Sequence, residues 1–188
     1  MSNFKRWVIL ILFILIMIDL WYIRIYFWSG RDFAVTVRVF LSVLLYHVAV
    51  RVIWGFIVGR VPLERFHPEK KLYQSRSYEK ALFEKAKVRN WKDRLPVAHP
   101  KLWDIDSCDM RDIVKAGCQA EMDHFGNIVL SLITLFFAFD LRSFSMLLFT
   151  ALGACAFDLA FVMIQRYNRP RFLRFEERLK RSASGEEK

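Results

Sequence analysis

Glycine and proline are scarce in this 188-residue sequence, at 7 and 5 residues. So few turn formers argue against a strand-rich domain, whose hairpins need them, and predict a helical chain. Cysteine is also rare. Cys108, Cys118 and Cys155 stand far apart with no CxxC or CxxH spacing, which excludes a zinc knuckle and a redox pair and predicts free thiols. Acidic residues are outnumbered, 19 against 29 Lys and Arg, for a net charge of +10. No zinc-finger, RNP or other nucleic-acid module accompanies that charge, and the basic residues flank hydrophobic runs, so anionic lipid headgroups are the matching partner and nucleic acid is not.

What the chain has instead is apolar length. At 55% hydrophobic and 16% aromatic it is too apolar for an ordinary soluble domain. A hydrocarbon core of about 30 Å needs about 20 helical residues. Trp7 to Trp28 supplies that with only Asp19 and Arg24 ionisable, and Trp21, Tyr22, Tyr26 and Trp28 gather near its far end, at headgroup level. The preceding MSNFKR segment resembles the start of a signal peptide, but the apolar run is too long and no small-residue cleavage site follows, so a retained signal anchor is expected. A second span is expected over 34–59, interrupted by Arg38, His47 and Arg51, which should face the bundle, with His47 and Arg51 pairing with Asp19 or Asp158. The run Ile128 to Leu141 is too short to cross alone and must borrow from the helix before it, giving a third span over 122–141. The fourth runs over 143–164 with Asp158 inside it.

The expected fold is therefore an all-α integral membrane protein with four transmembrane helices and a basic cytoplasmic loop, about 60–121, containing amphipathic helices, all in one membrane domain over 1–181. Residues 182–188 read as a disordered tail. From Arg60 to Lys115 there are 14 Lys and Arg, whereas the short connections opposite hold Arg31, Asp32, Asp140 and Arg142. This asymmetry predicts a multi-pass cell-membrane protein with the loop and both termini in the cytoplasm. Within the loop, Ser75 to Trp91 reads as a helix. A second begins at an Asp106-Ser107 cap and carries Met110, Ile113, Val114, Gly117, Glu121, His124 and Ile128 along one face.

Two polar groups arrive at one membrane face by this topology. Glu121 and His124, three apart on a helix, can touch, and a carboxylate beside an imidazole orients it and raises its basicity, as a general base requires. The bland alternative is an interfacial pair that satisfies only itself. A metal site would need further ligands, from His67, His99 or the aspartates between Asp104 and Asp112, and none is expected. Gln165-Arg166-Tyr167-Asn168-Arg169-Pro170-Arg171 packs three guanidiniums, two amides and a phenol into seven residues; guanidinium forks match phosphates, though such a run can also be a positive-inside anchor. Arg89, Trp91 and Lys92 alternate cation and aromatic, suited to an interfacial helix end or to an adenine and phosphate contact.

Several blocks, in order, resemble the glycosyl-4,4'-diaponeurosporenoate acyltransferase family: Gly59-Arg60-Val61-Pro62, then Phe66, Tyr78, Glu79 and Lys80, then Val88 to Leu95, then Glu121 and His124, and most specifically Gln165 to Arg171. The resemblance covers about Gly59 to Arg174. It implies an acyltransferase that esterifies a hydroxyl of a glycosylated lipid or carotenoid at the cytoplasmic face, with acyl-CoA as co-substrate and no cofactor. On that reading His124, oriented by Glu121, is the base, and Arg166, Tyr167, Asn168, Arg169, Arg171, Arg89, Trp91 and Lys92 bind the donor or its phosphates. Two other classes compete: a non-enzymatic adaptor that docks lipids or partners through the basic loop, and a metal-dependent lipid hydrolase or transferase.

Overall fold

The computed structural model describes residues 32–95, 109–137 and 141–183, with a few helical positions between 10 and 21, and contains no strand among them. Helix α1 is Asp32–Gly59. A 3-10 turn, Leu63–Arg65, follows. Helices α2, Ser77–Lys85, and α3, Val88–Trp91, come next, with a 3-10 turn at Lys92–Arg94. Helix α4 is Met110–Ile133, continued by a 3-10 segment, Thr134–Phe137. The last helix, α5, is Leu141–Ala183.

Three helix boundaries differ from expectation, each for a local reason. The helix expected over 75–91 is broken at Lys87, whose φ of 50° is left-handed. That conformation is costly for a residue with a Cβ, and the corner is held where the Trp91 indole N–H donates to the Ala86 carbonyl at 2.9 Å and Val88 is fully buried. Helix α4 starts later than Asp106-Ser107, which lies outside the described residues; Asp109 caps it, its Oδ1 accepting from the Arg111 backbone N–H at 3.2 Å. Helix α5 does not stop near Ile164. It runs 43 residues, about 64 Å at 1.5 Å rise, straight through Pro170 and into the expected tail as far as Ala183.

Two helices, Val37–Gly59 and Phe144–Ser182, are long and apolar enough to cross a membrane. They answer to the second and fourth expected spans. The first falls largely outside the described residues, and the third, on α4, is not apolar enough among the described residues, because Gln119, Glu121, Asp123, His124 and Asn127 interrupt the middle of the helix. Only 11% and 22% of the two apolar windows are buried, unlike the core helices of a soluble protein.

The chain divides into two compact units, one of Met1–Ile57 with Gly126–Asp158 and one of Val58–Phe125 with Leu159–Lys188. The first has its polarity inverted. Its surface carries Phe40, Ile53, Phe56, Phe136, Phe149 and Leu152, while His47, Asn127, Ser131, Thr134 and Asp158 are buried. Water disfavours such an arrangement and lipid favours it. Inside, Arg51 pairs with Asp158 and donates to the Ala154 and His47 carbonyls at 3.1 and 2.7 Å, and the Tyr46 hydroxyl donates to the Leu130 carbonyl at 2.9 Å. The expected partner of Arg51 is thus Asp158. Asp19 lies outside the described residues.

Close approach in this unit depends on one glycine. A methyl group on Gly126 would overlap the Trp54 indole, which lies directly against α4. Gly126→Ala should therefore cost about 1–3 kcal/mol, the usual range for overpacking, as a lowered unfolding midpoint in lipid nanodiscs. In a Trp54→Leu background, where the indole is gone, the same change should cost nothing measurable.

Candidate functional site

In the second unit, the buried face of α4 brings Met110, Ile113, Val114, Cys118 and Glu121 into the interior. The spacing of three and four predicted Met110, Ile113, Val114 and Glu121 on this face but not Cys118, and the buried stripe ends on a carboxylate only 5% exposed, His124 and Ile128 beyond it being half-buried. A charge so placed must be paired. Its partners come from the heptapeptide on α5: Arg166 Nη1 donates to Glu121 Oε1 at 2.7 Å, and Arg169 Nη2 donates to Oε2. Arg166 and Arg169 are three apart, so both guanidiniums leave the same face of α5 and reach one carboxylate.

The two arginines also tie down the segment before α2. Arg166 Nε donates to Glu79 Oε1 at 2.9 Å, its Nη1 donates to the Leu72 carbonyl at 3.2 Å, and its Nη2 donates to the Leu72 and Gln74 carbonyls at 3.4 and 3.2 Å. All five of its N–H groups are thereby engaged. Arg169 Nη1 donates to the Tyr73 carbonyl at 2.7 Å, and its guanidinium lies 5.1 Å from the centre of the Tyr73 ring. Two carboxylates, Glu79 and Glu121, offset two guanidiniums, so the buried network is close to neutral. Arg169 is 5% exposed, so it is not a surface anchor; the Arg166 donors and both terminal nitrogens of Arg169 donate to protein acceptors, while Arg169 Nε is buried without a partner.

His124 stands elsewhere on the same helix. It is half-buried and stacks on Phe161 of α5, ring centres 4.5 Å apart and planes 12° from parallel. Both Glu121 oxygens are turned to the arginines, so the carboxylate fixes the helix that carries the imidazole. The remaining expected residues divide by face. Tyr167 meets Phe83 edge-on at 5.8 Å, and the exposed Arg171 donates to its hydroxyl and lies 3.9 Å from its ring centre. Asn168 is half-buried on the same helix. Arg89 is exposed on α3, Trp91 is committed to the Ala86 carbonyl, and Lys92 pairs with its neighbour Asp93. Among the described residues no three of His, Cys, Asp and Glu gather as a metal site would require.

Tyr73, Cys118 and Phe161 carried no sequence signal, being apolar or lone residues. Glu79 was marked only by its place in the family block with Tyr78 and Lys80. Burial pushes the Tyr73 hydroxyl up to about 12, with the Cys118 and Glu121 charges adding and Arg169 opposing. Burial likewise pushes the Cys118 thiol up to about 11, against Arg169. Neither is a ready nucleophile.

These contacts give the heptapeptide a place in the fold and leave the chemistry to be named by comparison. The glycosyl-4,4'-diaponeurosporenoate acyltransferase family matches residues 69–178, more than half of the chain. The chain belongs to this family. It is therefore an acyltransferase, and the family places it in carotenoid biosynthesis. The matched region contains Glu79, Glu121, His124 and the whole heptapeptide, while Gly59 to Pro62 and Phe66 precede it. No curated protein and no solved structure matches the chain.

If the network holds the fold, Glu121→Gln leaves two buried guanidiniums underneutralised and should lower stability by about 3–5 kcal/mol, read as an unfolding free energy. Arg169→Lys should recover little, because an ammonium cannot reproduce the fork. An unchanged unfolding midpoint in either variant would refute the structural role. Alkali gives an independent check. The fold holds the Cys118 thiol and the Tyr73 phenol protonated beyond the pH at which the unfolded chain releases those protons, so the unfolded state binds fewer protons and stability falls as pH rises. The loss should begin near the ordinary thiol value of 9.0 and run to about 11 for Cys118, and from 10.0 to about 12 for Tyr73. Cys118→Ala should make the loss between about pH 9 and 11 smaller while the Tyr73 window remains.

Proposed function

We propose that this acyltransferase moves a fatty acyl group from acyl-CoA to a hydroxyl of a glycosylated lipid or carotenoid at the cytoplasmic membrane face, with His124 as general base. One observation supports this reading above the others. The two family motifs meet in a single network in which Glu121 is locked between Arg166 and Arg169, which holds in place the helix that carries the half-buried imidazole of His124 three residues on. Stacking on Phe161 fixes the ring plane, which a base needs in order to meet a hydroxyl in line.

The step balances simply. One ring nitrogen of His124 takes the proton as the hydroxyl oxygen attacks the thioester carbonyl; the tetrahedral intermediate collapses, the C–S bond breaks, and the imidazolium returns the proton to the departing thiolate. Glu121 acts as a positioning residue, through the helix. For the donor's phosphates the exposed Arg171 and Arg89 suit better than the buried Arg166 and Arg169, and the Tyr167 ring beneath Arg171 offers a stacking surface. The multi-pass reading, with the basic segment and both termini cytoplasmic, rests on the 14 Lys and Arg between Arg60 and Lys115 and on the inverted polarity of the first unit.

In reconstituted membranes, His124→Ala should lower kcat by about 10²–10⁴-fold, the range of a lost general base, at unchanged unfolding temperature. A variant that keeps a tenth or more of the wild-type kcat would defeat the assignment. Arg171→Ala should mainly raise KM for acyl-CoA, whereas KM for the acceptor should stay put.

A further inference from the structure

The first unit contains a second polar group that the acyl-transfer site does not use. His47 on α1 is 5% exposed, and both of its ring nitrogens are buried with no hydrogen-bond partner from the protein. Each buried, unsatisfied polar atom costs about 1–3 kcal/mol, and an apolar residue of similar size would remove that cost. The imidazole is not alone. One turn further, Arg51 donates to the His47 carbonyl at 2.7 Å, pairs with Asp158 of α5 and reaches the Ser131 hydroxyl of α4 at 3.4 Å. Ser131 and Asp158 are 0% and 1% exposed, but the Arg51 side chain is 21% exposed, so the cluster reaches the surface of the unit along that side chain.

The chemistry of the cluster narrows what it can receive. Arg51 and Asp158 cancel in charge, so no anion is called for. A neutral imidazole offers one donor and one acceptor, on opposite edges of the ring, which suits hydroxyl groups, each able to give and accept a hydrogen bond. The setting is an apolar-surfaced unit, so those hydroxyls must arrive on an apolar carrier. We propose that His47 is a recognition point for the hydroxyl-bearing headgroup of a long apolar molecule, sitting beside the neutral Arg51–Asp158 pair. As a specificity-determining residue for the acceptor, His47 rests on the acyl-transfer reading above; as a binding group it does not.

The binding claim is tested on the intact chain in nanodiscs. The sequence has 4 histidines, so ¹⁵N-histidine labelling gives few imidazole signals, and the signal lost in His47→Leu identifies this one. The probes are a long-chain alkyl glucoside below its micelle concentration, the alcohol of the same chain length, and the alkane. The His47 nitrogens should shift with glucoside and alcohol and stay fixed with alkane. Shifts equal in all three, no shift in any, or signals already hydrogen-bonded to water without a probe would each overturn the proposal.

Kinetics gives the second arm. His47→Leu should raise KM for the acceptor by about 10-fold with kcat within about 3-fold, and His47→Gln, which keeps a donor and an acceptor, should recover most of the loss. A changed unfolding temperature with an unchanged KM would mean that His47 is structural only. Failure of the His124 assignment would instead appear in kcat and leave the imidazole shifts of His47 untouched.

Discussion

A carboxylate buried between two guanidiniums governs the second unit. Glu121 is 5% exposed, and burying its charge would cost several kcal/mol were it not matched by Arg166 and Arg169. The match ties three separate stretches together: the first half of α4, the heptapeptide of α5, and the irregular chain from Leu72 to Gln74, whose carbonyls Arg166 and Arg169 also bind. That last stretch has no helix to satisfy its carbonyls, so the arginines take the part that secondary structure plays elsewhere. A peripheral cluster, Arg111 with Glu69 and Glu176, joins the start of α4 to the chain before α2 and to α5 beyond the heptapeptide. Being more exposed, it contributes less.

The first unit follows the opposite rule. Its exterior is phenylalanine, leucine and isoleucine, and its interior holds an ion pair, hydroxyls and an imidazole. In lipid this is the economical arrangement, because polar groups find partners only among themselves. Helix α5 serves both environments. At about 64 Å it is roughly twice the depth of a hydrocarbon core, and its apolar residues are concentrated in the half before the heptapeptide.

Where a feature is set by local pattern, the sequence shows it. The helix expected over 34–59 is α1 at Asp32–Gly59, because a long apolar run, interrupted at Arg38, His47 and Arg51, favours one continuous helix. The stripe from Met110 to Glu121 is buried as its period requires, and the short run after Ile128 is indeed fed by the helix before it. Long-range pairing is what the pattern hides. Spacing puts Glu121 within reach of His124, but two guanidiniums more than forty residues away are stronger partners for a carboxylate than one imidazole, and they took both its oxygens. Nor does any local signal mark Lys87 as a left-handed corner, since that conformation is imposed by the Trp91 and Val88 packing around it.

The heptapeptide shows why a motif rich in functional-looking side chains need not be a binding loop. On a helix its residues part into two faces. Arg166 and Arg169, three apart, point inward to Glu121, whereas Tyr167 and Arg171, four apart, meet each other on an outer face. Pro170 cannot donate to the Arg166 carbonyl, yet the helix continues, with the Arg174 side chain bonding the Pro170 carbonyl one turn on. The inner face is occupied by the protein's own carboxylates, so any contact this motif makes with a substrate must come from the outer one. A phosphate-bearing donor would therefore meet Arg171 over Tyr167, and the arginines that look most alike in sequence differ in role by the direction in which the helix turns them.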